Sequence, residues 1–293
     1  VEWISAMAPD LPHLFLTNCR DELVDKGLRI LRWHRTSGQV MIGLEGGYFG
    51  HTTAAARSLT DPGLQQQAPR HFDWPLVPPP ADVGEDATIA AIQTAISEAE
   101  GPEKVLGIAL EFCQERTGKV IPEEFWPKLE ALRAETGVPV VLDETATAAY
   151  RSGHGPFAYP QTGFVPDLLW WWPGGQLGII HVSGDCHVPK PLAMASTWDG
   201  DELSLIRVHH QLRAARSIDV ASATARLEAA LDTTDNVTGI GLYRIVSGDE
   251  IVHRLATHDI LTGVLDSNRT VLAPALTFDD TDAERLRRAL GGH

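Results

Sequence analysis

Basic residues are scarce in this chain: 24 Lys and Arg stand against 39 Asp and Glu, a formal charge of -15. A balance of that sign argues against nucleic acid and against an anionic membrane surface as partners, because phosphate binding needs a basic patch. Long apolar runs are missing as well, and no stretch reaches the length of a membrane span. The first residues, VEWISAMAPD, lack a basic region ahead of an apolar one, so no secretory leader is expected there. Cysteine is limited to Cys19, Cys113 and Cys186, an odd and scattered set that points to thiols in a reducing compartment. A cytoplasmic protein is the expectation. No internal period is found, which sets repeat architectures aside.

What is present is enough for a full core. With 293 residues, 43% of them apolar, the chain suits one large α/β domain with a smaller companion. Val105 to Glu111 and Val138 to Asp143 read as buried strands that each end in a carboxylate, and between them Pro122 to Thr136 reads as a helix closed by Gly137. Leu14 to Asn18, Val40 to Leu44, the Pro166 to Leu169 stretch and Ile179 onward add further strands. Asp21 to His34, Ala87 to Glu98, Leu203 to Ala215 and Val220 to Leu231 carry helical patterns. Strand, helix and strand in this order imply a mostly parallel sheet flanked by helices. Leu64 to Asp86, rich in Pro and Gln, reads as an irregular surface excursion. Near the end, Gly239 to Val246 is expected as one strand, a helix is expected to begin near Thr257, and Asp279 to Asp282 should open the last helix.

The chemistry-bearing residues gather at predicted strand ends and in one loop. Asp143 and Glu144 follow Val140-Val141-Leu142, and Glu111 closes the Val105 strand; α/β sites collect at that carboxyl edge. The loop Gly46-Gly47-Tyr48-Phe49-Gly50-His51 offers two aromatics and a histidine. His51, Glu111 and Asp143 are therefore candidates for acid or base work on a small molecule. The plainer readings stand beside these: an Asp-Glu pair capping neighbouring turns, a glycine-rich turn with two packed aromatics, and Asp21 as a helix N-cap. His181, Asp185, Cys186 and His187 have metal-type side chains, but no second pair at finger spacing accompanies them, so no metal is expected.

In order and spacing, these residues resemble the class III aminotransferases, the fold-type I family that uses pyridoxal phosphate (PLP). Asn18-Cys19-Arg20-Asp21 stands where such proteins carry Asn-Ser-Gly-Thr; Gln114 follows the Glu111 strand; Asp143-Glu144, Arg151-Ser152-Gly153, Pro166-Asp167-Leu168, Gly174-Gly175 and Leu177-Gly178 follow in turn. The resemblance implies a large fold-type I domain over residues 1–204 and a small carboxy-terminal α+β domain over 205–293. It also implies Tyr48 as the residue stacked on the PLP ring and Asp143 as the partner of the ring nitrogen. Phe49, Gln114 and Glu144 would line the pocket, and Thr197, in Ser196-Thr197-Trp198, would serve the cofactor phosphate of a neighbouring subunit. The position of the catalytic lysine falls on Pro173, which has no amine, and the amino-terminal part of a usual member has no counterpart. A degenerate member is thus expected, one that forms no internal aldimine. It would be either a repurposed enzyme acting on a small-molecule ligand in the old pocket or a non-catalytic partner subunit, with a PLP enzyme using another lysine such as Lys190 as the alternative. No cofactor is expected, PLP entering only weakly and non-covalently. A homodimer, or a heterodimer with a related subunit, is the expected assembly.

Overall fold

Val105 to Leu110 and Val140 to Leu142 show no polar alternation, the pattern of strands covered on both faces. In a computed structural model of the protein, which describes residues 2–64 and 70–291, both lie at the centre of a sheet and are buried along their whole length. The chain divides into two compact units. One is formed by the chain up to Phe112, by Ile121–Thr145 and by Tyr159–His210; the other by Cys113–Val120, Ala146–Ala158 and the chain from Gln211 on.

In chain order the first unit holds α1 (Glu2–Ser5), β1 (His13–Thr17), α2 (Arg20–His34), β2 (Val40–Leu44), α3 (Ala54–Leu59), β3 (Leu76–Val77), α4 (Pro80–Val83) and α5 (Glu85–Glu98). There follow β4 (Val105–Glu111), α6 (Phe125–Thr136), β5 (Val140–Asp143), β6 (Leu168–Trp171), β7 (Gly178–Val182) and most of α7 (Glu202–Ala215). The sheet has seven strands in the order β1-β7-β6-β5-β4-β2-β3. From β3 to β6 all neighbours are parallel, while β7 runs antiparallel to β6 and to β1. The expected mixed, mostly parallel sheet with flanking helices is the fold. Register then decides what meets at the carboxyl edge: Glu111 stands opposite Asp143, and Asp143 opposite Trp170.

Helix α2 covers this sheet through Leu23, Val24, Ile30 and Leu31, which are buried with Trp170, Ile180 and Val182. Its N-cap is Cys19, in extended conformation and without a side-chain cap, so the reading of Asp21 as the N-cap is corrected: Asp21 lies inside the first turn and its carboxylate reaches a neighbouring loop. Residues 65–69 of the Pro/Gln-rich stretch lie outside the described residues; the rest of it contains β3 and α4 rather than irregular chain alone.

The second unit holds the last turn of α7, then α8 (Val220–Leu231), β8 (Val237–Ile240), β9 (Tyr243–Ser247), α9 (Ile251–Thr257), β10 (Gly263–Asp266), β11 (Arg269–Leu272) and α10 (Asp280–Ala289). Its four strands form an antiparallel sheet in the order β10-β11-β9-β8. Two expectations change here. The single strand over 239–246 is a hairpin of β8 and β9, because Gly241 turns the chain at φ 56° with Arg151 and Ser152 backbone packed where a side chain would stand. The helix expected to begin near Thr257 ends there instead, since Glu250, at φ 54°, already starts it.

Candidate active site at the carboxyl edge of the sheet

A parallel pair brings its carboxyl ends to one edge, so β4 and β5 deliver two buried carboxylates side by side. The loop after β2 passes over them: the Tyr48 N–H donates to Glu111 Oε2 at 2.9 Å. Asp143 Oδ1 accepts the Thr145 N–H at 2.7 Å. Two anions so placed need a counter-ion, and the chain supplies one from α2. Arg20 Nη2 lies 3.6 Å from Asp143 Oδ2 and 3.9 Å from Glu111 Oε1, and donates to the Tyr48 carbonyl at 2.6 Å. Its Cζ sits 4.8 Å from the centre of the Tyr48 ring, a cation–π contact. A planar cation therefore lies over Tyr48 and beside Asp143.

The next residue ties the loop to the helix. Asp21 Oδ2 accepts the His51 N–H at 2.8 Å, the Thr52 hydroxyl at 2.6 Å and the Thr52 N–H. Burial works against the charged form of Asp21, but these donors from Thr52 and His51 outweigh it and hold its carboxyl below the ordinary range. Gly50, at φ 122°, is required because a Cβ there would overlap the Asp21 carboxylate. Asp25, one turn on, is pushed the other way, first by burial and then by the neighbouring charge of Asp21.

Of the residues singled out in the sequence, Tyr48, Glu111 and Asp143 come together around Arg20. His51 stands next to them with Nδ1 2.9 Å from the Tyr48 hydroxyl, its ring exposed. Phe49 turns into the core, edge-on to Trp170, and its N–H donates to Thr60. Glu144 is buried with Oε1 accepting the Tyr159 N–H at 2.8 Å, which fixes the turn at Tyr159–Gln161. Gln114 belongs to the second unit and accepts from the Thr117 hydroxyl. Thr197 is exposed on the loop before α7. Pro173 follows β6, and its carbonyl and that of Gly174 accept from Arg207. His181 is buried in β7, and His187 stacks on His13 at 3.6 Å between ring centres. The inward course of Arg20 was not read from the sequence; the signal was a long cation in a turn where the resemblance calls for a small residue.

The profile of the family described as aminotransferase class-III matches residues 1–290. The chain belongs to the class III aminotransferase family. It is 31% identical to the 4-aminobutyrate aminotransferase of Escherichia coli over 205 residues, 65% of this chain and 47% of that protein. With the putrescine–pyruvate aminotransferase of Pseudomonas aeruginosa it shares 27% identity over 202 residues, 62% of this chain and 43% of the relative. The chain thus spans less than half the length of these curated relatives in the matched regions. Among solved structures, an amine transaminase from an uncultivated Pseudomonas species, in its PLP-bound (internal aldimine) form, shares the fold with a TM-score of 0.86 at 16% identity, over 99% of this chain and 79% of that one. A lysine aminotransferase of M. tuberculosis, also in the internal aldimine form, gives a TM-score of 0.83 at 19% identity, over 98% and 76%.

These findings correct the expectation that this chain takes no cofactor, with PLP entering only weakly and non-covalently. Membership of the class III aminotransferase family points to PLP as the cofactor implied. Tested against the residues, the retained pair Tyr48 and Asp143 suits a flat nitrogen heterocycle. With Arg20 turned inward, however, both are engaged, and the arrangement does not fit the ring until that side chain leaves.

Proposed function

We propose that this chain serves a PLP-dependent class III aminotransferase reaction as a partner subunit, with no amine at position 173 to hold the cofactor covalently in its own pocket. The observation that carries this reading is the loop after β6: Pro173 stands at the position that the resemblance assigns to the lysine, and Arg207 holds the carbonyls of Pro173 and Gly174. Apart from Lys190, two of the other four lysines are held in ion pairs. Lys26 is buried in an ion pair with Asp199, Lys128 pairs with Asp86 at 2.6 Å, and Lys190 is exposed. Covalent catalysis needs a nucleophilic amine beside the ring, and neither Trp172 nor Pro173 has one. The surface near Thr197 supports the subunit role, because Leu192, Trp198, Leu203 and Ile206 are exposed around it in the sequence.

Incubation with PLP followed by borohydride reduction and mass spectrometry tests the first half. No stoichiometric adduct is expected on any lysine; an adduct on Lys190 or another single lysine would revive the reading of this chain as an aminotransferase in its own right. Light scattering tests the second half, with a monomer at micromolar concentration, alone and mixed with a lysine-bearing class III subunit, counting against it.

A further inference from the structure

Arg20 is the first residue of α2, yet its side chain is buried at the sheet edge, 9% exposed, rather than spread on the helix surface. What surrounds its guanidinium is selective. Two carboxylates in register on adjacent strands supply charge, the Tyr48 carbonyl accepts an N–H, and the Tyr48 ring offers its face. A compact ammonium can approach the carboxylates or the ring face, but a flat guanidinium can stack face-on over the ring while its edge N–H groups point at the carbonyl and the carboxylates, and so suits all four. The first turn of α2 is itself fixed, since Asp21 binds the His51 and Thr52 amides. Emptying the site therefore means rotating one side chain, not moving the helix.

We propose that Tyr48, Glu111 and Asp143 form a planar-cation site which Arg20 fills as an intramolecular ligand, so that a protonated pyridine ring must displace Arg20 to enter. This inference stands on the geometry of the sheet edge and holds whether or not the chain is a partner subunit. It makes Arg20 a competitor of PLP for Tyr48 and Asp143. The apparent affinity of an incoming ligand falls by the fraction of molecules in which the site is open, so a site open in about 1% of molecules weakens binding about a hundredfold. Removal of the guanidinium should abolish that penalty and leave a vacancy matched to small planar cations.

The test compares wild type with Arg20→Ala. Methylguanidinium, at millimolar concentration, is expected to raise the melting temperature of Arg20→Ala and not that of wild type, with tetramethylammonium as the non-planar control. Deoxypyridoxine phosphate, which keeps the ring and phosphate of PLP and lacks its aldehyde, is expected to quench tryptophan fluorescence with at least about tenfold higher affinity for Arg20→Ala. Adding Asp143→Asn to Arg20→Ala should remove both gains. Because Arg20→Ala leaves two carboxylates facing each other, Arg20→Ala/Glu111→Gln serves if the single variant does not fold. Equal response to the two cations would overturn the planar-cation site. Unchanged affinity for deoxypyridoxine phosphate would overturn the displacement. Neither readout involves a lysine adduct, so this inference and the subunit reading fail separately.

Discussion

Gly27 shows how closely α2 lies on the sheet: a Cβ at this position would overlap the indole of Trp170, which is fully buried in β6. Because that ring is fully buried, Gly27→Ala is expected to push the helix outward. A loss of about 1–3 kcal/mol is expected, against the small gain in helix propensity that Ala brings on an open helix face. The urea midpoint measures it, and an unchanged or raised midpoint would show that the contact yields. His181 sets a pH dependence at the same scale. Burial, chiefly, pushes its imidazole down to about 3 from 6.5. Between those values the unfolded chain binds a proton that the folded chain does not, so the contribution of neutral His181 is complete above about pH 6.5 and is lost as pH falls toward 3. Acidification through that window therefore costs stability through this group. Stability measured from pH 7 downward should fall less steeply in His181→Gln than in wild type, and equal slopes would refute the assignment. Single residues were unevenly legible in the sequence. Asp143 and Glu111 were readable because strand ends in a parallel sheet share an edge. Arg20 was not, because periodicity places a residue at a helix start without saying whether a long side chain runs outward or back to the sheet.

Elements were legible where their ends carry a chemical signal. Helix α10 begins as Asp279-Asp280-Thr281-Asp282 suggested: Asp279 accepts the Thr281 and Asp282 amides at 2.9 and 3.0 Å, and the Asp282 carboxylate returns to the Asp279 N–H. Replacing Asp279 with Ala frees two amides of the first turn and removes a favourable charge at the positive end of the helix. A loss of about 1 kcal/mol is expected, read as a lower thermal midpoint, with Asp279→Ser nearly neutral. If both substitutions have the same effect, the cap is not what holds the helix start. The α6 terminus was equally plain, for Gly137 takes the left-handed conformation at φ 65°. Signals failed where a turn had no such residue pair. The β8–β9 turn was hidden inside an apolar run, and α9 starts at Glu250 in a conformation rarely adopted by Glu. The two-residue β3 owes its form to pairing with β2, which local sequence does not encode, whereas α4 opens with Pro80 at its first position, a start signal passed over in a Pro-rich stretch.

At the scale of the molecule, two properties pull against each other. Exposed Trp198, Leu203 and Ile206, together with Leu192, are more apolar surface than one short stretch of a soluble monomer usually leaves bare, and they flank Thr197 on the loop and helix before residue 210. Covering them with a second subunit is favourable by roughly 25 cal/mol for each Å² removed from water. Opposing that, each copy carries -15, so two copies meet as strongly like-charged bodies. Apolar attraction is short-ranged and insensitive to moderate salt, whereas repulsion between exposed charges is screened within about 8 Å at physiological ionic strength. Self-association should therefore strengthen as salt is raised, the opposite of an interface held by surface ion pairs. Light scattering of the wild type across a salt series is expected to show the apparent mass rising with ionic strength. Trp198→Ser combined with Ile206→Ser should hold it at the monomer value throughout, with the melting temperature little changed because both side chains are exposed. Association that weakens with salt, or that survives the double substitution, would move the contact to another face of the molecule. A less acidic lysine-bearing subunit would meet less repulsion than a second copy does, and should bind this chain at salt concentrations where the chain alone stays monomeric.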